Sequence, residues 1–257
     1  LPETQAETTP EQFYAPLAVS YDRMTGLEGR VKSAEGFLEV LSESGPFETM
    51  LDVACGTGLY ALAAAGRGVE AIGADLSLEM LEQARGNASQ MGLDVQWLHG
   101  PMQTLGNEFD RQFDLVLCMG NSLPHLLTDA DVTGTLDGFR RLLPAGGRLA
   151  IQVLNYDQIL AKSERVVSID RHAESEFIRF YDFLPDGLVS FNLLTVDWAD
   201  GDAQHSLSSV RLRPYRCAEL RDAILEAGFS HFQIHGDLRL GEFRPQESAT
   251  LLLLATA

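Results

Sequence analysis

The segment Leu51-Asp-Val-Ala-Cys-Gly-Thr-Gly58 constrains the fold of this chain more than any other. An apolar run that ends in two closely spaced glycines reads as a strand turning sharply into a helix, because glycine lets the backbone turn and approach a ligand where a Cβ would collide. The residues that follow alternate in pattern. Strands are predicted over 49–53, 69–74, 95–99 and 113–119, helices running to 65 and to 91 lie between them, and a helix over 129–143 leads to a fifth strand over 148–154. Such alternation builds a doubly wound parallel sheet.

From 166 to 215 the pattern becomes β-rich, with alternating runs separated by Pro185-Asp-Gly187 and Asp200-Gly-Asp202. A helix over 218–227 and strands over 230–235 and 249–256 then return the chain to the main sheet. The expected fold is α/β: a Rossmann-like, doubly wound, seven-stranded mixed sheet with an inserted antiparallel β lid. Residues 1–48 supply N-terminal helices (13–21 and 30–41) that cover the site. Residues 49–155 and 216–257 form the binding core, and 156–215 form the lid.

Charge removes whole classes of partner. Nineteen Lys and Arg against 37 Asp and Glu give a formal net charge of −18, which repels phosphate backbones and anionic lipid, so neither nucleic acid nor a membrane surface is expected as a partner. The three cysteines, Cys55, Cys118 and Cys217, form no C-x-x-C pair. With no spanning apolar run and no signal-peptide pattern, a cytoplasmic protein is expected. A homo-oligomer is compatible with the sequence.

Two cofactors satisfy the glycine loop. Gly56-Thr-Gly58 followed by Asp75 matches the looser dinucleotide pattern, with Asp75 at the end of strand two to accept ribose hydroxyls. That leaves an NAD(P)-dependent oxidoreductase open. Asp52 tips the reading toward S-adenosylmethionine, because a carboxylate beside the loop repels a pyrophosphate and attracts an amino group. Met102, with Met80, offers a thioether wall for a flat ring. Ser77 is the expected N-cap of the helix after Asp75.

Farther on, Cys118-Met-Gly-Asn-Ser-Leu-Pro-His-Leu126 and Asn155-Tyr-Asp-Gln-Ile-Leu160 join the first motif. Together the three segments resemble the glycine N-methyltransferase group of class I S-adenosylmethionine-dependent methyltransferases, in order from about 14 to 237. The resemblance implies S-adenosyl-L-methionine as methyl donor, S-adenosyl-L-homocysteine as product and a small-molecule methyl acceptor. It places Ala54, Asp75 and the segment from Met119 to Ser122 against the cofactor, with Tyr21 in the covering segment; Asp52, Gly56, Gly58, Met80 and Met102 join them from the reading of the loop and its neighbours. Lys32 falls where the family has an arginine for the methionine carboxylate, and Arg30 is a nearby substitute. Two departures stand out: Pro101 replaces an adenine-binding Asp or Asn, with Gln103 beside it, and Leu154 replaces the arginine that holds a glycine carboxylate. Free glycine is therefore expected to be a poor acceptor, and a binding module without transfer activity is an alternative.

Methyl transfer from a sulfonium is an in-line displacement, so positioning and exclusion of water suffice. Asn121 and the Gly120 carbonyl, after strand four, are the expected positioning groups for an amine, and His125 is a candidate general base. Tyr14, Tyr156 and Tyr215, with Asn121, are expected to surround the acceptor, since rings favour a product of growing positive charge. Asp170, His172, Glu174 and Glu176 recur at period two. They are read as a solvated lid face, and no metal site is expected.

Overall fold

The computed structural model describes residues 8–18, 22, 27–172, 175–198 and 204–257. Helix α1 (Pro10–Tyr14) opens on a capping box: the Gln12 N–H donates to Thr9 Oγ1 and the Thr9 N–H donates to the Gln12 side chain. A 3-10 turn (Ala15–Leu17) follows. Helix α2 (Leu27–Glu43) buries Val31, Ala34, Phe37, Leu38 and Leu41 on one stripe against the core.

Strands and helices then alternate as β1 (Thr49–Val53), α3 (Leu59–Ala65), β2 (Glu70–Asp75), α4 (Leu78–Met91), β3 (Gln96–His99), β4 (Leu115–Cys118), α5 (Asp129–Arg141) and β5 (Arg148–Leu154). Leu51, Val53, Val116 and Ile151 face one helical layer, while Met50, Leu115, Leu117 and Ala150 face the other. Burial on both faces is why these strands read as continuous apolar runs. Helix α6 (Tyr156–Lys162) leads into the lid strands β6 (Val166–His172), β7 (Ser175–Phe183), β8 (Val189–Asp197) and β9 (Gln204–Leu212). Helix α7 (Cys217–Glu226), β10 (Ser230–His235) and β11 (Thr250–Thr256) complete the chain.

The main sheet has the order β10-β11-β5-β4-β1-β2-β3, with β11 antiparallel to both of its neighbours. Strand order reverses between β1 and β4, so their carboxyl ends open the crevice in which such sheets bind ligands. The lid is a separate antiparallel sheet, β6-β7-β8-β9. It is fastened by two apolar clusters, one joining Phe177, Leu193 and Val210 to Phe13, the other joining Tyr181, Val189 and Leu212 to Leu154 and Ile159. The seven-stranded mixed sheet and the antiparallel lid are as the sequence patterns require.

Two local features differ from expectation. The segment after β5 forms α6, capped by Asn155, whose Oδ1 accepts the Gln158 N–H (3.3 Å). The period-two acidic run is also divided by a hairpin: Asp170 lies on β6 and Glu176 on β7, in register with Phe177 and Arg171 respectively. Asp170 pairs with Arg179 and Glu176 with Arg171. Glu174 lies outside the described residues. No described helix is long and apolar enough to cross a membrane.

Candidate active site

Three loops converge at the carboxyl edge of the sheet. After β1, Ala54 (φ 54°) and Gly56 (φ 55°) take left-handed conformations. The turn is held by the Gly58 N–H, which donates to the Cys55 carbonyl (3.0 Å). Beyond β2, Asp75 Oδ2 accepts the Gly56 N–H (2.7 Å) and Oδ1 accepts the Ser77 N–H (2.9 Å). Burial nevertheless raises its pKa. Ser77 Oγ caps α4 as expected, accepting the Met80 N–H (3.2 Å). The third loop, after β4, carries two successive left-handed residues, Gly120 (φ 70°) and Asn121 (φ 68°).

The cavities around these loops share Gly120 as a common wall. A cavity of about 820 Å³ runs past Asp75, Met80, Pro101, Met102, Gln103 and His125. A smaller one of about 420 Å³ is lined by Arg30, Asp52, Ala54, Gly56, Met119 and Ser122. The largest, about 1000 Å³, lies between the sheet edge and the lid, against Tyr14, Asn121, Leu154, Arg179, Tyr181 and Leu193. Tyr14 borders the first and the third.

The 420 Å³ cavity presents a carboxylate and a guanidinium, Asp52 and Arg30, which together complement a zwitterionic amino-acid head. Asp52 is buried, and its Oδ2 accepts the Ala61 N–H (3.1 Å) near the start of α3. Burial raises its pKa from 3.8 to about 7, the Asp75 charge adding to the rise. A cation beside it would reverse that shift. The dinucleotide reading of the loop fares worse, because Asp52 already occupies a helix-start N–H and puts a carboxylate where a pyrophosphate would sit. In the adjoining cavity, His125 Nδ1 is buried without a partner. The residues present therefore fit S-adenosylmethionine: a zwitterion-binding end, an acid placed for ribose hydroxyls and a thioether-lined slot.

Several candidates from the sequence occupy other places. Gly58 lies behind the loop, not on a cavity wall, since a Cβ there would stand 2.6 Å from the Trp97 ring. Lys32 is exposed and lines none of the three cavities, because two residues of helix turn it about 200° from Arg30. Tyr156 and Tyr215 are buried structural groups instead of acceptor contacts. The Asn121 Nδ2 donates to the Tyr156 hydroxyl (3.0 Å), and the Tyr215 hydroxyl donates to the Leu126 carbonyl (2.5 Å). Tyr21 lies outside the described residues.

Asn121 borders the largest cavity, but its side chain is spent on a brace: Oδ1 accepts the Leu154 N–H (2.9 Å) while Nδ2 reaches Tyr156. It fixes the loop and leaves the backbone to face the cavity. His125 Nε2 is 3.2 Å from the Tyr14 hydroxyl, and burial lowers its pKa to about 4. A neutral imidazole of so low a basicity is a poor general base for an amine proton. The Asn-Tyr-Asp segment likewise builds architecture. Asn155 Nδ2 donates to the Pro245 and Ser248 carbonyls (2.9 and 2.8 Å), and the Cys217 N–H donates to Asp157 Oδ2 (3.0 Å).

Two contributors were missed. Asp22 accepts hydrogen bonds from Thr57 Oγ1 (2.5 Å) and Asn87 Nδ2 (2.8 Å), tying the N-terminal segment to the β1 loop; nothing local marks an isolated acid for such a contact. Arg179 did leave a signal, a charge on the otherwise aromatic face Phe177-x-Arg179-x-Tyr181-x-Phe183.

Comparison with known proteins places the chain among methyltransferases. Residues 50–147 match the family model described as Methyltransferase domain. Glycine/sarcosine N-methyltransferase of Aphanothece halophytica is 27% identical over 220 residues, covering 85% of this chain and 80% of that protein. Ubiquinone biosynthesis O-methyltransferase of Alkalilimnicola ehrlichii is 30% identical over 155 residues, 60% of this chain and 54% of that protein. Among solved structures, an S-adenosylmethionine-dependent methyltransferase from Clostridium acetobutylicum shares the fold, with a TM-score of 0.79 at 18% identity over 95% of this chain and 98% of that one. Fold, cofactor loop and methyltransferase domain together identify the chain as a class I S-adenosylmethionine-dependent methyltransferase that resembles the glycine N-methyltransferase group.

Proposed function

We propose that this enzyme methylates the nitrogen of a small-molecule amine held in the cavity between sheet edge and lid. The observation that carries the reading is the lining of that cavity: among the described residues it contains no carboxylate and no histidine. Burial pushes its Tyr181 phenol up to about 12. An alcohol would need a base to attack, whereas an amine needs only its neutral fraction and a group to orient it. The match to glycine/sarcosine N-methyltransferases supports the same choice.

When bound, S-adenosylmethionine supplies an electrophilic methyl group on a sulfonium. Asp75 is assigned the ribose hydroxyls, Asp52 the ammonium, Arg30 the carboxylate, and Met80 and Met102 the adenine faces; Ala54, Gly56, Met119 and Ser122 form the intervening wall. The loop at Gly120, braced by Asn121, borders both cofactor cavities and the acceptor cavity, so its backbone is assigned the orientation of the amine hydrogens. Tyr14 closes the junction from α1. The amine proton leaves to water, as His125 is too weak a base to keep it.

The test is incubation of purified protein with S-adenosylmethionine and a panel of glycine, sarcosine, dimethylglycine, larger amines and matched alcohols, with products read by mass. Larger amines are expected to gain methyl groups with equimolar S-adenosylhomocysteine, and glycine to react poorly because Leu154 walls the cavity. Methylation of the alcohols in preference to the amines would overturn the nitrogen assignment. Binding of the cofactor with no transfer to any acceptor would reduce the protein to a binding module.

A further inference from the structure

We propose that Arg179 is the specificity-determining residue of the acceptor cavity, and that the acceptor is an amine whose apolar body ends in an anionic group such as a carboxylate. The inference rests on the amine reading above and deepens it. Period-two alternation places Phe177, Arg179, Tyr181 and Phe183 on one face of β7, and the strand register sets Arg179 beside Leu193 and Tyr181 beside Phe191. Arg179, Tyr181, Phe191 and Leu193 all line the 1000 Å³ cavity. Its side chain is only 20% exposed.

One end of the guanidinium is occupied. Nη1 donates to Asp170 Oδ2 and to Ser168 Oγ, the latter at 3.0 Å. Asp170 is itself 41% exposed and is not part of the cavity lining. Nε and Nη2 make no hydrogen bond among the described residues, and neither does the hydroxyl of the buried Tyr181. Asp170 already balances the charge of Arg179, but its Nε–Nη2 edge leaves two coplanar donors on the wall of an apolar cavity, where they gain from any ligand oxygen pair that reaches them. The geometry of those donors matches a carboxylate, which accepts two parallel N–H bonds. No other cationic side chain among the described residues lines the cavity.

The remaining wall sets the acceptor body. Phe13, Leu17, Leu154, Phe191, Leu193 and Leu212 surround a volume far larger than glycine requires. An acceptor whose amine reaches Gly120 and whose anion reaches Arg179 spans the cavity, with its apolar part against these side chains. The guanidinium thus enters from the lid, into the same cavity that Leu154 borders from the sheet.

The test is calorimetric titration of the protein saturated with S-adenosylhomocysteine, using 5-aminopentanoic acid, 6-aminohexanoic acid and 4-(aminomethyl)benzoic acid, each paired with its carboxamide. At least one acid is expected to bind about tenfold or more tightly than its amide, as a charge-assisted pair requires. Arg179→Gln should collapse the acid-to-amide ratio toward one, and Arg179→Lys should restore part of it. Equal binding within every pair in the unsubstituted protein overturns the proposal without any variant. So does an Arg179→Gln protein that still binds S-adenosylhomocysteine and keeps the ratio. Selective acid binding with no methyl transfer would instead sink the amine-transfer reading while leaving the assignment of Arg179 standing.

Discussion

Along the carboxyl edge of the main sheet, position is set by the backbone, whereas on the lid it is set by side-chain alternation. Ala54, Gly56, Gly120 and Asn121 hold left-handed conformations, and Asp75 is fixed by two backbone N–H groups. Across the cavity, Arg179, Tyr181, Phe191 and Leu193 belong to regular antiparallel strands. Under the proposed assignment, the edge offers a fixed backbone frame to the cofactor. A strand face can exchange any side chain without disturbing its ladder, so acceptor choice is free to reside there.

The sharpest way to break this division is Asp75→Ala. If the edge alone binds the cofactor, calorimetric affinity for S-adenosylhomocysteine falls about 100-fold or more, as loss of charge-assisted hydrogen bonds to two hydroxyls requires. Next is Gly58→Ala, expected to destabilise the fold by about 2–4 kcal/mol in urea unfolding, combining the cost of φ +91° with the contact to Trp97. Its effect should appear in stability before affinity, which separates Gly58 from the cavity-facing Gly56.

Asp52→Asn should act in two directions. Because burial raises the Asp52 pKa to about 7, the folded protein binds the proton more tightly than the unfolded chain. This group's stabilising contribution is therefore complete below pH 3.8 and is lost as the pH rises through about 7. At pH 8 the unliganded Asn variant is expected to be more stable by about 2–4 kcal/mol, with the gain vanishing near pH 4. Its cofactor affinity should fall about tenfold, for loss of the partner to the ammonium. Thermal unfolding across pH, with and without S-adenosylhomocysteine, checks both signs.

Smaller effects sharpen the comparison further. Arg30→Ala is expected to weaken S-adenosylhomocysteine about tenfold and Lys32→Ala less than about twofold, consistent with one facing the cavity and the other solvent. On the lid, Leu193→Ala should shift KM for the acceptor about threefold or more in either direction, with cofactor affinity unchanged within about twofold. A lid substitution that weakened the cofactor as much as Arg30→Ala would end the division between the two walls.

Much of the edge was legible from residue order. The β1 loop, the Asp75 position, the Ser77 cap and the methionine slot each depend on residues close in sequence. Helix periodicity could also have separated Arg30 from Lys32, since two residues on a helix point to opposite sides. The roles of Tyr156, Tyr215 and Asn121 were not legible, because each is decided by hydrogen bonds to partners distant in the chain. A tyrosine that packs and a tyrosine that lines a cavity leave the same mark in a sequence.

By itself, the sequence determined the doubly wound sheet, the inserted lid and a loop suited to an adenosine-bearing cofactor, because hydrophobic period and glycine placement act over short stretches of chain. Only the tertiary structure decided that Asp52 and Arg30 share one cavity, that burial lowers the basicity of His125, and that an arginine from the lid lines the same cavity as Leu154. Those outcomes depend on which strands and helices meet and on how much water each contact excludes, quantities that exist only once the chain has closed on itself.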